Sequence, residues 1–176
     1  MALDANSAVW NFESQERLYR LVSPLLDCSS PETTPIQIQC ETLFSAVLTR
    51  SGDVYVWSMY AEGMTKYRNK YRRVAVPDGG TDIPCHTWEI NVDPTKLPSL
   101  PDLPDLPMTG LPEEERRKET KLIQIAACSN SLVGLTNKGH VLQVGRLYGG
   151  EGLTWFWDYV SEGSRMIWHP FSNRDM

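Results

Sequence analysis

The sequence predicts an all-β protein that forms part of a β-propeller, because it contains an internal repeat, short alternating strands and turn glycines. Residues 36–58 align without gaps on residues 123–145, with seven of 23 positions identical. Chance alone would give about one or two identities. A weaker match places residues 9–10 on residues 56–57, at an offset of 47 residues. Short strands that repeat about every 50 residues are typical of propeller blades, so we expect two to three blades.

Each copy of the repeat contains a predicted β-hairpin. Residues 44–49 and 54–57 alternate with period two and are rich in β-branched and aromatic side chains, a pattern that favours strands. The turns between them contain Gly52 and Gly139, and glycine readily takes the positive φ that a tight turn requires. Ile36 and Ile38 lie on one face of a further strand. We therefore expect three strands per copy.

A long proline-rich insert separates the two copies. Eight of the twelve prolines lie between residues 59 and 118, which excludes a continuous sheet there. Residues 97–111, LPSLPDLPDLPMTGL, favour extended polyproline structure and are expected to loop out of the propeller. Residues 113–121, EEERRKETK, carry opposite charges three to four positions apart and predict a short exposed helix.

These features divide the chain into four parts. Residues 1–58 hold a first partial blade and the first clear repeat, and residues 59–121 form the insert with a basic stretch and the charged helix. Residues 122–163 hold the second clear repeat and a following partial blade. Residues 164–176 match no blade strand.

Composition excludes several classes of function. The chain has 176 residues, 41% of them hydrophobic, and a net charge of −5, whereas a general nucleic-acid binder carries a positive surplus. No apolar run approaches the roughly 18 residues of a membrane helix, and the first twelve residues lack the pattern of a secretory signal. We expect no membrane association and a cytoplasmic location, with the nucleus as the alternative.

The sequence shows no sign of a metal site, a cofactor or a catalytic group. The four cysteines lie far apart and form no zinc-binding pattern, and Cys40 and Cys128, inside apolar strands, are expected to be small core residues. No histidine belongs to a nucleophile motif. His140 follows a turn glycine and is expected to be solvated. Asp53 and Asp158 lack a second carboxylate at a defined spacing. We therefore predict that the chain is not an enzyme.

Two stretches are candidates for contact with a partner. Cations and aromatics alternate in the first, which comprises Lys66, Tyr67, Arg68, Lys70, Tyr71, Arg72 and Arg73. Such a surface holds anionic or acidic partners; the alternative is a solvated loop, or a polar strand whose tyrosines pack on the blade. The second, residues 155–159 (WFWDY), is either a binding hot spot or a core strand, and the glycines just upstream favour the strand.

The pattern Leu48-Thr49-x-x-Gly52-x-Val54-Tyr55-x-Trp57 resembles the repeat of the regulator-of-chromosome-condensation family, and the second copy repeats its first part at 135–141. More narrowly, residues 20–57, with RLVSPLLD, SSPETTPIQI and SAVLTRSGDVYVW, are similar to fungal F-box-associated (SCF-associated factor-like) members. The resemblance implies a seven-bladed propeller that selects targets for a cullin-based ubiquitin ligase. Its partners would be ligase subunits or a target protein. The sequence departs from that pattern in having no readable F-box near Met1 and only two or three blades.

Two other functions remain open. The founding family member implies guanine-nucleotide exchange on a small nuclear GTPase in association with chromatin, although no residue here carries over for it. The remaining possibility is a truncated, inactive fragment, because an unclosed propeller leaves sheet edges unpaired.

Overall fold

The computed structural model describes residues 1–14, 17–58, 72–73, 86–103, 113–114, 118–147 and 155–160. Within these residues the chain forms three small β-sheets, which confirms the all-β prediction. The strands are β1 Ala2–Leu3, β2 Val9–Ser14, β3 Arg17–Val22, β4 Pro35–Cys40, β5 Phe44–Thr49, β6 Val54–Ser58, β7 Arg72–Arg73, β8 His86–Asn91, β9 Thr95–Lys96, β10 Leu122–Cys128, β11 Ser131–Thr136, β12 Val141–Val144 and β13 Asp158–Tyr159. A 3₁₀ turn, Pro24–Leu26, follows β3. Over the same described ranges, no helix is long and apolar enough to span a membrane.

The two copies of the repeat form two sheets of the same design. The second sheet has the order β4-β5-β6-β9 and the third has the order β10-β11-β12-β13, with every pair antiparallel. The three predicted strands are present in each. The fourth strand, of two residues in each sheet, was not predicted, because two residues are too few for an alternating pattern to be seen.

The strand register is conserved between the second and third sheets at the offset of 87 residues. Gln37 pairs with Leu48 in one sheet, and Gln124 pairs with Leu135 in the other. The first strand of each sheet, β4 or β10, carries an irregularity at the same place, immediately before the glutamine. The fourth strands also pair equivalently, although the segments that lead to them, residues 59–94 and 145–157, differ greatly in length.

The two hairpin turns have the predicted conformation. Gly52 has φ of 100° and Gly139 has φ of 86°, and the amide of each donates to the carbonyl of the threonine three residues earlier, at 3.0 Å in both turns. In this left-handed region a Cβ would add strain. The backbone therefore requires glycine at both positions.

The second sheet lies between the other two. On one side, buried residues such as Leu48 and Val56 join a core cluster with Ile125 and Leu142 of the third sheet. On the other side, Val47 and Trp57 cluster with residues of the first sheet. Because both faces are covered, neighbouring residues of β5 are buried whichever way they point.

The first sheet is built differently. Its order is β1-β2-β3-β8-β7, and β3 and β8 run parallel. Val9 packs toward the second sheet, as Val56 packs toward the third, so the short match at residues 9–10 and 56–57 places similar residues on similar faces. Strands β7 and β8 join this sheet from the insert of residues 59–121, and β9 of that insert completes the second sheet.

Part of the proline-rich segment packs on the core, so the expectation that it loops out is wrong for residues 97–103. The amide of Leu97 donates to the carbonyl of Val54 at 2.8 Å, and Leu97 is only 3% exposed. Leu100 and Leu103 pack against the same cluster. An extended polyproline helix has three residues per turn, so leucines at every third position fall on one side. Residues 104–112 lie outside the described ranges.

Other expectations meet mixed outcomes. Cys40 and Cys128 are exposed rather than part of the core. Each is the last residue of the first strand of its sheet, β4 or β10, where the neighbouring sheets cover little of it. Of the predicted helix, residues 113–114 are helical and 118–121 are not; residues 115–117 lie outside the described ranges. The terminal segment 164–176 also lies outside them.

Candidate functional site

The structure describes only the end of the predicted basic contact stretch. Lys66, Tyr67, Arg68, Lys70 and Tyr71 lie outside the described residues. Arg72 and Arg73 form β7 at the edge of the first sheet, where they pair with Glu89 and Trp88 of β8. The proposed role of this stretch therefore stays a prediction, with its last two residues in a strand.

A groove of about 880 Å³ lies at the hairpin-turn end of the second and third sheets. It is formed by the turns after β5 and β11, the chain that leads into β10, the leucine- and proline-rich stretch after β9, and Trp157. Its lining residues are Ser51, Gly52, Asp53, Val54, Leu97, Pro98, Ser99, Leu100, Pro101, Asp102, Leu103, Glu119, Thr120, Lys121, Leu122, Lys138, His140 and Trp157.

A backbone hydrogen bond ties each turn to the residue that precedes the first strand of its own sheet, and a lysine side chain connects the two sheets. The amide of Arg50 donates to the carbonyl of Thr34, and that of Asn137 to the carbonyl of Lys121, each at 2.9 Å. The Lys121 ammonium donates to the carbonyl of Arg50 at 3.0 Å and so connects the third sheet to the turn of the second. The contact of Lys121 with Arg50 therefore joins the two sheets beside the groove.

A tryptophan anchors the leucine- and proline-rich stretch. Trp157 is 5% exposed, and its indole N–H donates to the carbonyl of Pro98 at 3.1 Å. Gly134 leaves space for it, because a Cβ there would lie 3.3 Å from the indole and 2.6 Å from Leu122. Trp157 therefore lies in the core, although it precedes β13 rather than belonging to it, whereas the neighbouring Phe156 is 62% exposed.

An ion pair beside the groove is structural. Lys96 donates to the Asp53 carboxylate at 2.9 Å, and its ammonium lies 5.9 Å from the centre of the Tyr55 ring. The hydrogen bond to Asp53 raises the pKa of Lys96 above its usual value, against the opposing effect of burial. Burial raises the pKa of Tyr55. Asp53 is thus occupied in orienting the fourth strand of the second sheet.

His140 is buried, so the expectation that it is solvated is wrong. His140 is 3% exposed. Its backbone amide donates to the hydroxyl of Thr136 at 3.0 Å. The turn pattern located the backbone correctly, but it carried no information about what would cover the side chain. Only the packing of distant segments around the turn decides that.

The site has the character of a recognition surface. Its buried members include Leu97 and Trp157, and its exposed members carry both signs of charge, as in Asp102, Glu119 and Lys121. Within the portion of the chain that the structure describes, no three histidine, cysteine or acidic side chains are grouped as a metal site would require. Most of the accessible lining is polar, above the buried Leu97 and Trp157, so the groove offers hydrogen-bonding and charged groups to a ligand.

The chain is similar in fold to a solved structure but matches no known family. No family model and no curated protein matches the chain. Among solved structures, the crystal structure of human WBSCR16 is similar over 91% of this chain, with 16% identity and a TM-score of 0.40. The match covers 36% of that protein, so the chain spans about a third of its length.

Proposed function

We propose that the chain is a non-catalytic, protein-binding scaffold and that its sheets are blades of a β-propeller of the regulator-of-chromosome-condensation type. The observation that carries the proposal is the shared design of the second and third sheets. They have the same order, the same register and equivalent turns, and they bury their faces against each other. Blades of a propeller pack in this way.

We further propose that this scaffold takes part in substrate recognition for an SCF-type ubiquitin ligase. The support for this role is the sequence of residues 20–57, which resembles F-box-associated members of the family, together with the groove at the turn end. The partner would be a protein, either a ligase subunit or the target, in the cytoplasm or the nucleus. Turns at the end of a rigid sheet stack are well placed for such binding, since the stack fixes their positions.

The first experiment asks whether the groove binds the partner. The full chain, fused to a proximity-labelling enzyme, is compared with a groove variant in which Asp102→Lys and Lys138→Asp are combined. The matched control exchanges Arg20 and Glu89, an exposed ion pair on the first sheet with an N–O distance of 3.3 Å, so both variants keep the net charge. Labelling of the partner is expected to fall in the groove variant and to persist in the control. Labelling that persists in both variants would contradict the assignment of the groove.

The second experiment asks whether the partner is a ligase target. Excess chain that binds a target without delivering it to the ligase is expected to lengthen the half-life of that target, and the groove variant is expected not to do so. An unchanged half-life would contradict the ligase role while leaving the scaffold role intact. Release of a fluorescent guanine nucleotide from a small GTPase should proceed at the rate seen in buffer, and acceleration would favour nucleotide exchange.

A further inference from the structure

We propose that the apolar cleft between the second and third sheets binds extended segments of a protein partner in which leucine-proline-x triplets repeat. Residues 97–103, the strap, fill this cleft as a competitor from the same chain. The open groove lies beside the strap and has it as one wall. The inference rests on the proposed function and names the chemistry of the segment that the scaffold recognises.

The strap contacts the cleft through leucines at every third position. Leu97 is 3% exposed, and Leu100 and Leu103 are half-buried against the same core cluster. Pro98 and Pro101 are exposed. A period of three is that of a polyproline helix, so the leucines supply the contact and the prolines keep the backbone extended. A segment that is extended before it binds loses little conformational entropy, which favours recognition in this conformation.

Two hydrogen bonds set the register of the strap in the cleft. The amide of Leu97 donates to the carbonyl of Val54 at 2.8 Å, and the indole N–H of Trp157 donates to the carbonyl of Pro98 at 3.1 Å. Both bonds involve the backbone of the strap rather than its side chains. Another segment with leucines at the same spacing can therefore form them.

The strap is held less firmly toward its end. Leu97 is almost fully buried, whereas Leu100 and Leu103 are only partly covered. Within the part of the chain that the structure describes, the hydrogen bonds to the strap backbone are confined to Leu97 and Pro98. Local opening of a segment with few buried contacts costs less free energy than opening a sheet. The strap is thus the element of the cleft that is displaced most easily.

The two sheets stay joined when the strap leaves. The side chain of Gln37 donates to the carbonyl of Ile125 at 2.7 Å and accepts from the amide of the same residue at 2.9 Å. The Lys121 ammonium donates to the carbonyl of Arg50 at 3.0 Å. None of these groups belongs to the strap. The cleft therefore keeps both of its walls while its internal occupant is exchanged.

Competition by the strap has a measurable consequence for affinity. A second segment binds only to the open cleft, so its apparent dissociation constant is the intrinsic constant divided by the open fraction. A substitution that weakens the strap but spares the cleft raises that fraction and tightens binding. A ligand that binds elsewhere on the chain gains nothing from such a substitution.

Fluorescence anisotropy of a labelled peptide tests the proposal. The peptide LPSLPDLPDLP, identical to residues 97–107, is titrated with the natural full chain and with Leu100→Asp. The variant is expected to bind it about tenfold more tightly or better, because a charged side chain leaves the apolar cleft and the open fraction rises. Leu100→Ala is expected to act in the same direction with a smaller change, and it replaces Leu100→Asp if that variant does not fold. Slow amide exchange in β5 verifies folding.

Ile123→Asp is the matched control, because it introduces the same charge at an apolar residue of the third sheet that is 47% exposed. It is expected to bind the peptide no better than the natural chain does. A control peptide with serine at each leucine position, SPSSPDSPDSP, is expected not to bind. The proposal is overturned if folded Leu100 variants fail to bind the leucine peptide, if they bind it no better than the natural chain, or if they bind the serine peptide equally well.

Failure of this proposal and failure of the scaffold role give different results. Peptide binding that follows the expected order, without any partner labelled by the natural chain, would support the cleft and contradict the scaffold role. Partner labelling that is lost in the combined Asp102→Lys and Lys138→Asp variant, without peptide binding, would overturn the cleft alone. Dimerisation of Leu100→Asp that the peptide reverses, measured by sedimentation, would assign the cleft to a second copy of the chain and overturn the proposal.

Discussion

The second and third sheets share a backbone plan but differ in how deeply the same positions are buried. Leu48 and Val54 are 0% and 3% exposed, whereas Leu135 is half-buried and Val141 is 37% exposed at the equivalent positions. The strands are paired identically in both cases. The difference comes from the neighbour, since the third sheet covers the second. Burial of a strand in such a stack is thus a property of the interface rather than of the strand alone.

The faces that point the other way show a different solution to the same packing requirement. Val47 fills its place between the first and second sheets, while the equivalent position in the third sheet is Gly134, against which Leu122 and Trp157 pack. In the third sheet, the space that a side chain at position 134 would occupy is therefore filled by Trp157, which lies outside the repeat.

The largest expected effect comes from truncating the covered leucine. Leu48→Ala is expected to lower the free energy of unfolding by about 2–5 kcal/mol, the usual range for a fully buried leucine. Leu135→Ala is expected to lower it by less than half as much, because the side chain is already partly in water. Urea denaturation of the two variants measures the difference. Equal losses would mean that the third sheet is covered in solution as fully as the second.

The second-largest expected effect is a difference in stability between substitutions of the two turn glycines. Gly52→Ala is expected to lower the free energy of unfolding by about 1–2 kcal/mol because alanine is strained in the left-handed region. The loss should be larger still, because the added Cβ would lie 2.8 Å from the Cβ of Lys121. Gly139 is exposed, so Gly139→Ala should show the backbone effect alone. Thermal unfolding of both variants, with the natural chain as reference, measures the excess. If Gly139→Ala is the more destabilising, the turn of the second sheet does not contact the third as described.

The glutamine pair gives a smaller effect with an internal control. Gln37→Ala removes two hydrogen bonds between sheets and is expected to destabilise by about 1–3 kcal/mol. Gln124→Ala in the natural chain should change stability by no more than about 0.5 kcal/mol, as most exposed substitutions do. Chemical denaturation compares the two. A loss on Gln124→Ala as large as that on Gln37→Ala would show that Gln124 already has a partner within this chain.

The smallest effect concerns the ion pair between Lys96 and Asp53 in the second sheet. The third sheet has His140 at the position equivalent to Asp53. Lys96→Met is expected to destabilise by about 0.2–1 kcal/mol near neutral pH, since the pair is partly exposed. Because the folded pKa of Lys96 is raised above its ordinary value of 10.5, this contribution is full below pH 10.5 and disappears as the pH rises through the folded pKa. Denaturation at pH 7 and above that pKa tests the sign. A difference between variant and natural chain that grows with pH would contradict it.

Much of the fold followed from local patterns. The repeat, its hairpins and the conformations of Gly52 and Gly139 could be predicted because alternation and turn chemistry act over a few neighbouring residues. The fourth strands could not, since each is two residues long and is defined by its partner. The groove was missed for a related reason: Leu97 and Trp157, far apart in sequence, meet only after the sheets stack.

The order of residues by itself determined which segments are strands, where they turn and which two units are copies, because these depend on side-chain alternation and on backbone strain at single positions. Tertiary structure alone decided that His140 is buried, that Cys40 and Cys128 are exposed, and that the leucines of the proline-rich segment pack on the core. The physical reason is that burial depends on the surfaces that distant segments bring together, and no local pattern encodes those distances.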